Sequence, residues 1–147
     1  VTPTLSPAAP ADWPAIRALL DAARLPTADL EDDRHGRFLV ARDGAAVVGC
    51  VAVEPYGGAG LLRSLAVAPG ARGAGLGGRL VEAAEARARD AGLRDLVLLT
   101  ITAAPFFEAR GWAPLDRNDV PEAVRGSSEF TATCPVSAAC LGKTLFP

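Results

Sequence analysis

Apolar residues recur along this chain with two different periods, and the switches between them mark its elements. Trp13, Ile16, Leu19, Leu20 and Ala23 share one helical face. Asp12 suits the N-cap of that helix and Pro14 its first turn. Leu25-Pro26 closes it. Thr27 to Leu30 reads as one further turn before the charged loop Glu31-Asp32-Asp33-Arg34-His35. Residues 37–42 read as a strand, Asp43-Gly44 as a two-residue hairpin turn, and residues 45–54 as the valine-rich partner strand. Pro55-Tyr56-Gly57-Gly58 turns the chain into another mostly apolar strand, Leu61 to Val67, which Pro69-Gly70 ends. Leu76, Leu80, Ala84 and Ala88, at steps of four, predict a helix running to Ala91 with Gly92 as its C-cap. Glu82, Glu85 and Arg89 are expected off its apolar stripe, with Glu85 and Arg89 paired four apart. Residues 95–100 form an apolar run with little alternation, as in a strand covered on both faces. A short helix over 103–110 stops at Gly111, and a strand starts at 112–115. The stretch 116–133 is polar and irregular, with a helical turn at 121–125, and 136–145 reads as the last strand. With an edge strand at Thr2 to Ser6 the order is β-α-(α)-β-β-β-α-β-α-β-β. This is an α/β fold: a mixed sheet with helices on both faces.

The 147 residues suit one domain with a real core. Half are hydrophobic and 22% are charged, ordinary for a folded chain. The net charge is −2, and no basic tract exceeds two adjacent residues, which argues against a nucleic-acid partner. No apolar run is long enough to span a membrane, and the first residues do not read as a secretory leader. Three cysteines, an odd number, do not make a disulfide framework, so a reducing cytoplasm is the expected setting. A monomer or homodimer is expected, without a metal.

The densest chemistry lies between Leu61 and Gly77. A strand runs through a short turn into Arg72-Gly73-Ala74-Gly75-Leu76-Gly77-Gly78, which opens a helix. Backbone N–H groups at a helix start are unpaired and favour an anion, and glycines let a phosphate approach closely. Arg72 adds a full charge and a forked donor. A Walker loop would need Gly-Lys-Ser/Thr, where this chain has Gly77-Gly78-Arg79. A dinucleotide loop is matched at Gly73, Gly75 and Gly78, but the next strand ends in Leu98-Leu99-Thr100 without the acid that would hold a ribose. A glycine-rich connection with no ligand is the remaining alternative.

Arg72-x-x-Gly75-x-Gly77 after Leu65-x-Val67 resembles the acetyl-coenzyme A loop of the GNAT acyltransferases. The segment Ala104-Pro105-Phe106-Phe107-Glu108-Ala109-Arg110-Gly111-Trp112 resembles that family's A-x-x-F-Y-E-x-x-G-F helix. The resemblance covers nearly the whole chain. A narrower likeness, to small N-acetyltransferases encoded in arsenic-resistance operons, rests on Leu62-Arg63-Ser64-Leu65-Ala66-Val67, Glu54-Pro55-Tyr56-Gly57 and Cys134-Pro135-Val136-Ser137-Ala138-Ala139-Cys140. The family resemblance implies a mostly antiparallel sheet whose fourth strand splays from the fifth. It implies acetyl-CoA as co-substrate and a small-molecule amine as acceptor. It makes the Leu65 N–H the donor that polarises the acetyl carbonyl. Ala66 and the Val67 backbone would meet the pantetheine arm, and the backbone of Arg72, Gly73, Ala74, Gly75, Leu76 and Gly77 the pyrophosphate. Thr100, Phe106 and Phe107 would complete the cofactor site, although plain core packing is the better account of Phe106. Phe107 stands where relatives often carry the tyrosine that protonates the leaving thiolate. A thiol with a pKa near 8.5 can leave unprotonated, so this departure does not preclude transfer.

Amine attack on a thioester needs a base or a water relay. Glu54, ending an apolar strand, is the candidate base; a solvated strand-end carboxylate is the alternative. Tyr56, the only tyrosine, is a candidate acid or pocket aromatic. Arg63 and Leu65 are expected on one strand face. A cation inside a sheet needs a partner, which would be an acceptor carboxylate or an internal acid. Arg125 and Ser127 are further substrate-pocket candidates. His35 reads as exposed, and Cys50 and Cys140 as buried apolar residues. Two rival functions remain open at this point. One is a non-catalytic acyl-CoA binder, suggested by Phe107. The other is a metalloid-binding accessory protein, suggested by the soft thiols.

Overall fold

The computed structural model describes residues 2–25, 27, 37–127, 130 and 138–146. In chain order the elements are β1 (Thr4–Pro7), α1 (Trp13–Ala22), β2 (Phe38–Asp43), β3 (Ala46–Tyr56), β4 (Ala59–Val67), α2 (Leu76–Asp90), β5 (Asp95–Thr100), α3 (Ala104–Glu108), β6 (Ala113–Pro114), α4 (Glu122–Arg125) and β7 (Ala139–Thr144). The strand order is β1-β2-β3-β4-β5-β7-β6. The expected mixed, mostly antiparallel sheet with helices is therefore present, and β4 and β5 are its parallel pair. The charged loop with His35, the helical turn beyond Thr27, and Cys134 with the chain up to Ser137 lie outside the described residues. The chain divides into two compact units, Val1–Val53 with Ser64–Ala86 and Glu54–Arg63 with Arg87–Pro147.

In the first unit, α1 forms because its apolar positions recur at helical spacing. Trp13, Ile16 and Leu20 are buried against Phe38, Val40, Cys50, Ala52 and Ala66. Trp13 meets Phe38 edge-on at 5.7 Å between ring centroids. The helix ends with Arg24 in the left-handed region (φ 57°) and Leu25 N–H bonded to Leu20 O at 3.0 Å, a Schellman-type closure. On α2, Leu80 comes so close to β3 that a Cβ on Gly49 would lie 2.9 Å from Leu80 Cδ1.

Three local expectations are corrected here. Asp12 occupies the N-cap position of α1 but makes no side-chain cap bond. Its carboxylate is taken by the Ala9 N–H at 2.7 Å and by a forked pair with the Arg42 guanidinium. The hairpin between β2 and β3 turns at Gly44 (φ 62°) and Ala45, one residue later than expected, with Asp43 paired to Ala46. Glycine at the first loop position supplies the positive φ that the twist of a two-residue hairpin requires. Glu85 is buried rather than exposed. It stands four residues after Val81 and three before Ala88, on the stripe those two define.

In the second unit, β4 pairs with β5 only over Ala59–Leu61, opposite Asp95–Val97. From Leu62 onward β4 leaves β5, which is the expected splay. β5 instead pairs along its whole length with β7, from Asp95↔Thr144 to Thr100↔Ala139. One core gathers Ala59, Leu61, Val97, Leu99, Val120 and Val124, with Tyr56 packed at its margin.

The Asp12–Arg42 pair generates a pH prediction. Hydrogen bonds from Arg42, then Ala9, hold the Asp12 carboxyl below its ordinary value of 3.8. A depressed folded value means that the stabilisation is present above the ordinary value and is lost as pH falls through the folded one. Asp12→Asn is expected to lower the unfolding free energy at neutral pH by about 1–3 kcal/mol. In denaturant titrations the gap between the two proteins should narrow below about pH 4. A gap of constant size at every pH would place its origin elsewhere.

Candidate active site

The end of β4 and the glycine loop lie together in the first unit, so their geometry is set locally. Ser64 sits in the middle of β4 with φ 60°. Holding a non-glycine residue there costs roughly 1–2 kcal/mol. A left-handed residue within a strand acts as a bulge: it breaks the alternation of side chains and re-aims the residues beyond it. Ala66, not Leu65, accordingly joins Cys50 and Ala52 beneath α1, while Leu65 is half-buried. The expectation that Arg63 and Leu65 share a face fails for this reason. Cys50 Sγ lies 3.4 Å from Ser64 O and donates to it. Burial pushes the Cys50 thiol up to about 12, with the Ala66 N–H at the sulfur pulling the other way. The group therefore stays protonated and keeps its hydrogen to donate.

Beyond Val67 the chain makes one tight turn, Pro69–Ala71, and reaches Arg72 in extended conformation. Arg72 Nε folds back to donate to Val67 O at 3.1 Å. Gly73 and Gly75 adopt φ of 86° and 80°, which L side chains rarely do. A Cβ at either would meet no atom within 4 Å, so glycine is required here by backbone conformation and not by crowding. The first α2 bond runs from Arg79 N–H to Gly75 O at 3.1 Å. The N–H groups of Leu76, Gly77 and Gly78 precede it and have no helical partner. Residues 72–75 are exposed, while Leu76 is buried and anchors the helix start. An open loop of this kind, leading into unpaired N–H donors and flanked by a guanidinium, fits a pyrophosphate.

The remaining candidates lie in the second unit. Glu54 is 1% exposed and Arg63 is 3% exposed, with Arg63 Nη1 3.7 Å from Glu54 Oε1. Arg63 thus meets an internal acid, and Glu54 is no solvated strand end. Tyr56 Oη donates to the same Glu54 oxygen at 3.1 Å. The Tyr56 side chain also lines a cavity of about 340 Å³ with Ala59, Arg94, Asp95, Pro121 and Phe146. Thr100 Oγ1 accepts the Ala103 N–H at 3.0 Å and so fixes the approach to α3. Phe107 is 4% exposed and packs edge-on against Trp112 at 5.6 Å. Phe106 is half-buried beneath the Arg110 guanidinium, 3.8 Å from the ring centre. Arg125 ends α4 exposed, and Ser127, two residues on, is buried. Cys140 is buried in the core of the second unit, and burial raises its thiol. Among the described residues no group of three His, Cys, Asp or Glu side chains is placed to hold a metal, and no helix is long and apolar enough to cross a membrane. The sequence reading missed the Ser64 bulge and the part Cys50 plays in it. Neither residue type announces such a geometry, and nothing in the spacing could have found it.

A bulged strand that parts from its parallel neighbour and runs into a glycine-opened helix is the frame of an acyltransferase domain. The chain belongs to the acetyltransferase (GNAT) domain family, whose model matches residues 34–114. It is 39% identical over 95 residues to an amino-acid acetyltransferase of Ralstonia nicotianae, an alignment that covers 63% of this chain and 21% of that protein. It is 44% identical over 101 residues to an IAA acetyltransferase of Azospirillum brasilense, covering 65% of this chain and 62% of that one. The chain thus spans less than two thirds of either relative. The fold matches N-acetylglutamate synthase of Neisseria gonorrhoeae, solved with coenzyme A and N-acetyl-glutamate. The TM-score is 0.86 at 22% identity, over all of this chain and 36% of the synthase. It also matches Rv2747 of Mycobacterium tuberculosis, solved with CoA, at a TM-score of 0.83 and 24% identity, over 98% of this chain and 100% of the other.

The buried pair Glu54–Arg63 yields a stability test. Arg63→Met removes the cation from a buried carboxylate and is expected to cost about 3–5 kcal/mol in denaturant unfolding. Adding Glu54→Gln to it should recover most of that loss. A double variant as unstable as Arg63→Met alone would show that packing, not charge pairing, sets the cost.

Proposed function

We propose that this chain transfers an acetyl group from acetyl-CoA to the primary amine of a small molecule, with residues 1–147 forming the transferase domain. The observation that carries the reading is the continuous stretch from the Ser64 bulge to the start of α2. It presents a strand end for the thioester arm and an anion cradle for the pyrophosphate in one unit. In the proposed reaction the amine nitrogen attacks the thioester carbonyl carbon, the C–S bond breaks, and coenzyme A leaves as thiolate. The Leu65 N–H stabilises the charge that develops on the carbonyl oxygen. Ala66 and Val67 line the arm, and the backbone from Arg72 to Gly77 holds the pyrophosphate. Thr100, Phe106 and Phe107 are the remaining proposed cofactor contacts.

The amine also loses a proton. Glu54 is buried, but Tyr56 is half-buried and bonded to it, so the proton passes to the Tyr56 oxygen as the Tyr56 hydrogen moves to Glu54. Arg63 supports that carboxylate from within. For the acceptor we propose an amino acid or an arsenic- or phosphorus-containing analogue, its anionic group met by Arg125 with Ser127. The amino-acid acetyltransferases among the relatives support an amino-acid-like acceptor. A cytoplasmic enzyme is the setting that this chemistry suits. Phe107, buried and without a hydroxyl, favours a second reading, a non-catalytic acyl-CoA binder.

Two measurements decide between these readings. Thiol release from acetyl-CoA should appear with one or more primary amines in a panel of amino acids and their arsenic and phosphorus analogues. Glu54→Gln and Tyr56→Phe should each lower kcat on the order of 10²-fold while leaving the Kd for coenzyme A unchanged. Tight cofactor binding without turnover on any amine would instead establish the binder. For the loop, Gly75→Val forces a branched side chain into φ 80° and should weaken coenzyme A binding at least tenfold by calorimetry. An unaltered Kd would remove the loop from the site.

A further inference from the structure

The Ser64 bulge needs something to hold it. A left-handed serine inside a strand persists only where its surroundings over-determine it. β3 supplies part of that restraint through a side chain. Cys50 is wholly buried, in the core beneath α1, and its thiol reaches across to the Ser64 carbonyl at 3.4 Å. Its neighbour on β4 in the same core is Ala66. Cys50 thus engages β4 on both sides of Leu65: through its hydrogen at Ser64 and through packing at Ala66. The peptide between those two anchors is the one whose N–H we assign to the acetyl carbonyl. All of these residues belong to the first unit.

We infer that Cys50 is a positioning residue for acetyl transfer: its thiol stitches the β4 bulge and thereby fixes the direction of the Leu65 N–H. This rests on the acetyltransferase reading above. The residue type fits the task. A thiol is a small, nearly apolar group that tolerates the core, yet it carries one hydrogen to spend on a carbonyl. Burial keeps it un-ionised, so it acts through geometry and has no nucleophilic part in the reaction. A donor displaced from the developing charge loses most of its value in the transition state while the ground state notices little. The signature of the stitch is therefore a fall in kcat with binding preserved.

The test compares Cys50→Ala, which removes the donor at little cost in volume, with Cys50→Ser, which restores a donor on a shorter arm. Cys50→Ala is expected to lower kcat about tenfold, against roughly 10²–10³-fold for the outright loss of such a donor. The KM for acetyl-CoA and the Kd for coenzyme A should stay within about twofold, which loss of a merely structural residue would not guarantee. Cys50→Ser should recover part of the loss. In ¹⁵N spectra of the ligand-free protein, the Leu65 and Ala66 amide signals should move in Cys50→Ala more than those of residues 13–20, which line the same core. Unchanged kcat in a folded Cys50→Ala protein, or amide shifts spread evenly through the core, would overturn the stitch. If the wild-type protein neither binds coenzyme A nor releases thiol, the acetyltransferase reading fails instead. The amide signals alone then decide whether Cys50 orders the bulge. Should Cys50→Ala not fold, the same comparisons are made on Cys50→Val, which fills the core without a donor, and a wild-type kcat with unmoved Leu65 and Ala66 amides there overturns the stitch.

Discussion

One residue held against its preference organises this molecule. Ser64 in the left-handed region costs free energy, and β3 and the core under α1 supply the compensating contacts. The return on that cost is geometric. A strand that kept its alternation would present Arg63 and Leu65 on one face. The bulged strand buries Arg63 against Glu54, sends Ala66 into the core below α1, and leaves Leu65 half-exposed. The pairing of β4 with β5 has already ended at Leu61. Backbone groups beyond that point are thus relieved of ladder duty on one side and re-aimed at the same time. Under the proposed reading, both events together shape the strand end that takes the cofactor's arm.

Much of the fold was legible because it rests on periodicity. The α1 stripe, the α2 stripe from Leu76 to Ala88, the unalternating β5 and the glycine-opened helix all derive from which residues must be buried and how often. The glycine loop was legible for a second reason. Positive φ at Gly73 and Gly75 is a demand that composition records directly. Where the reading went astray, a tertiary partner had overridden a local rule. Asp12 has the right type and place for a cap, but Arg42, thirty residues away, claims its carboxylate. Glu85 has the wrong type for a buried stripe and sits in one nonetheless. Ser64 shows no sign of its conformation in the sequence, because a serine in a strand is ordinary until its neighbours are known.

The candidate site was legible in unequal parts. The glycine loop is built from backbone, and glycine spacing predicts backbone well. The candidate base and its neighbours are side chains whose roles depend on burial. Glu54 illustrates the difference. At the sequence level it is a strand-end acid with two equal accounts. In the structure it is enclosed, paired with Arg63 and bonded to Tyr56. Phe107 illustrates it from the other direction. Its place in the family's motif invites comparison with a tyrosine, yet its ring is packed against Trp112 in the core.

The bond from Arg72 to the Val67 carbonyl carries a consequence for selectivity among thioesters. Under the proposed reading, a pantetheine arm that takes the lone pair bonded to Arg72 displaces the guanidinium. A ligand with a diphosphate gives the evicted cation a new anion a few residues away, so one bond is exchanged for another. A truncated thioester, ending before the phosphates, would evict the same cation and offer it only water. The loop then works as a latch that opens at little cost to a full-length carrier and at a net loss to a fragment. Under the proposed reading, discrimination between carriers is built into a single arginine of the glycine loop.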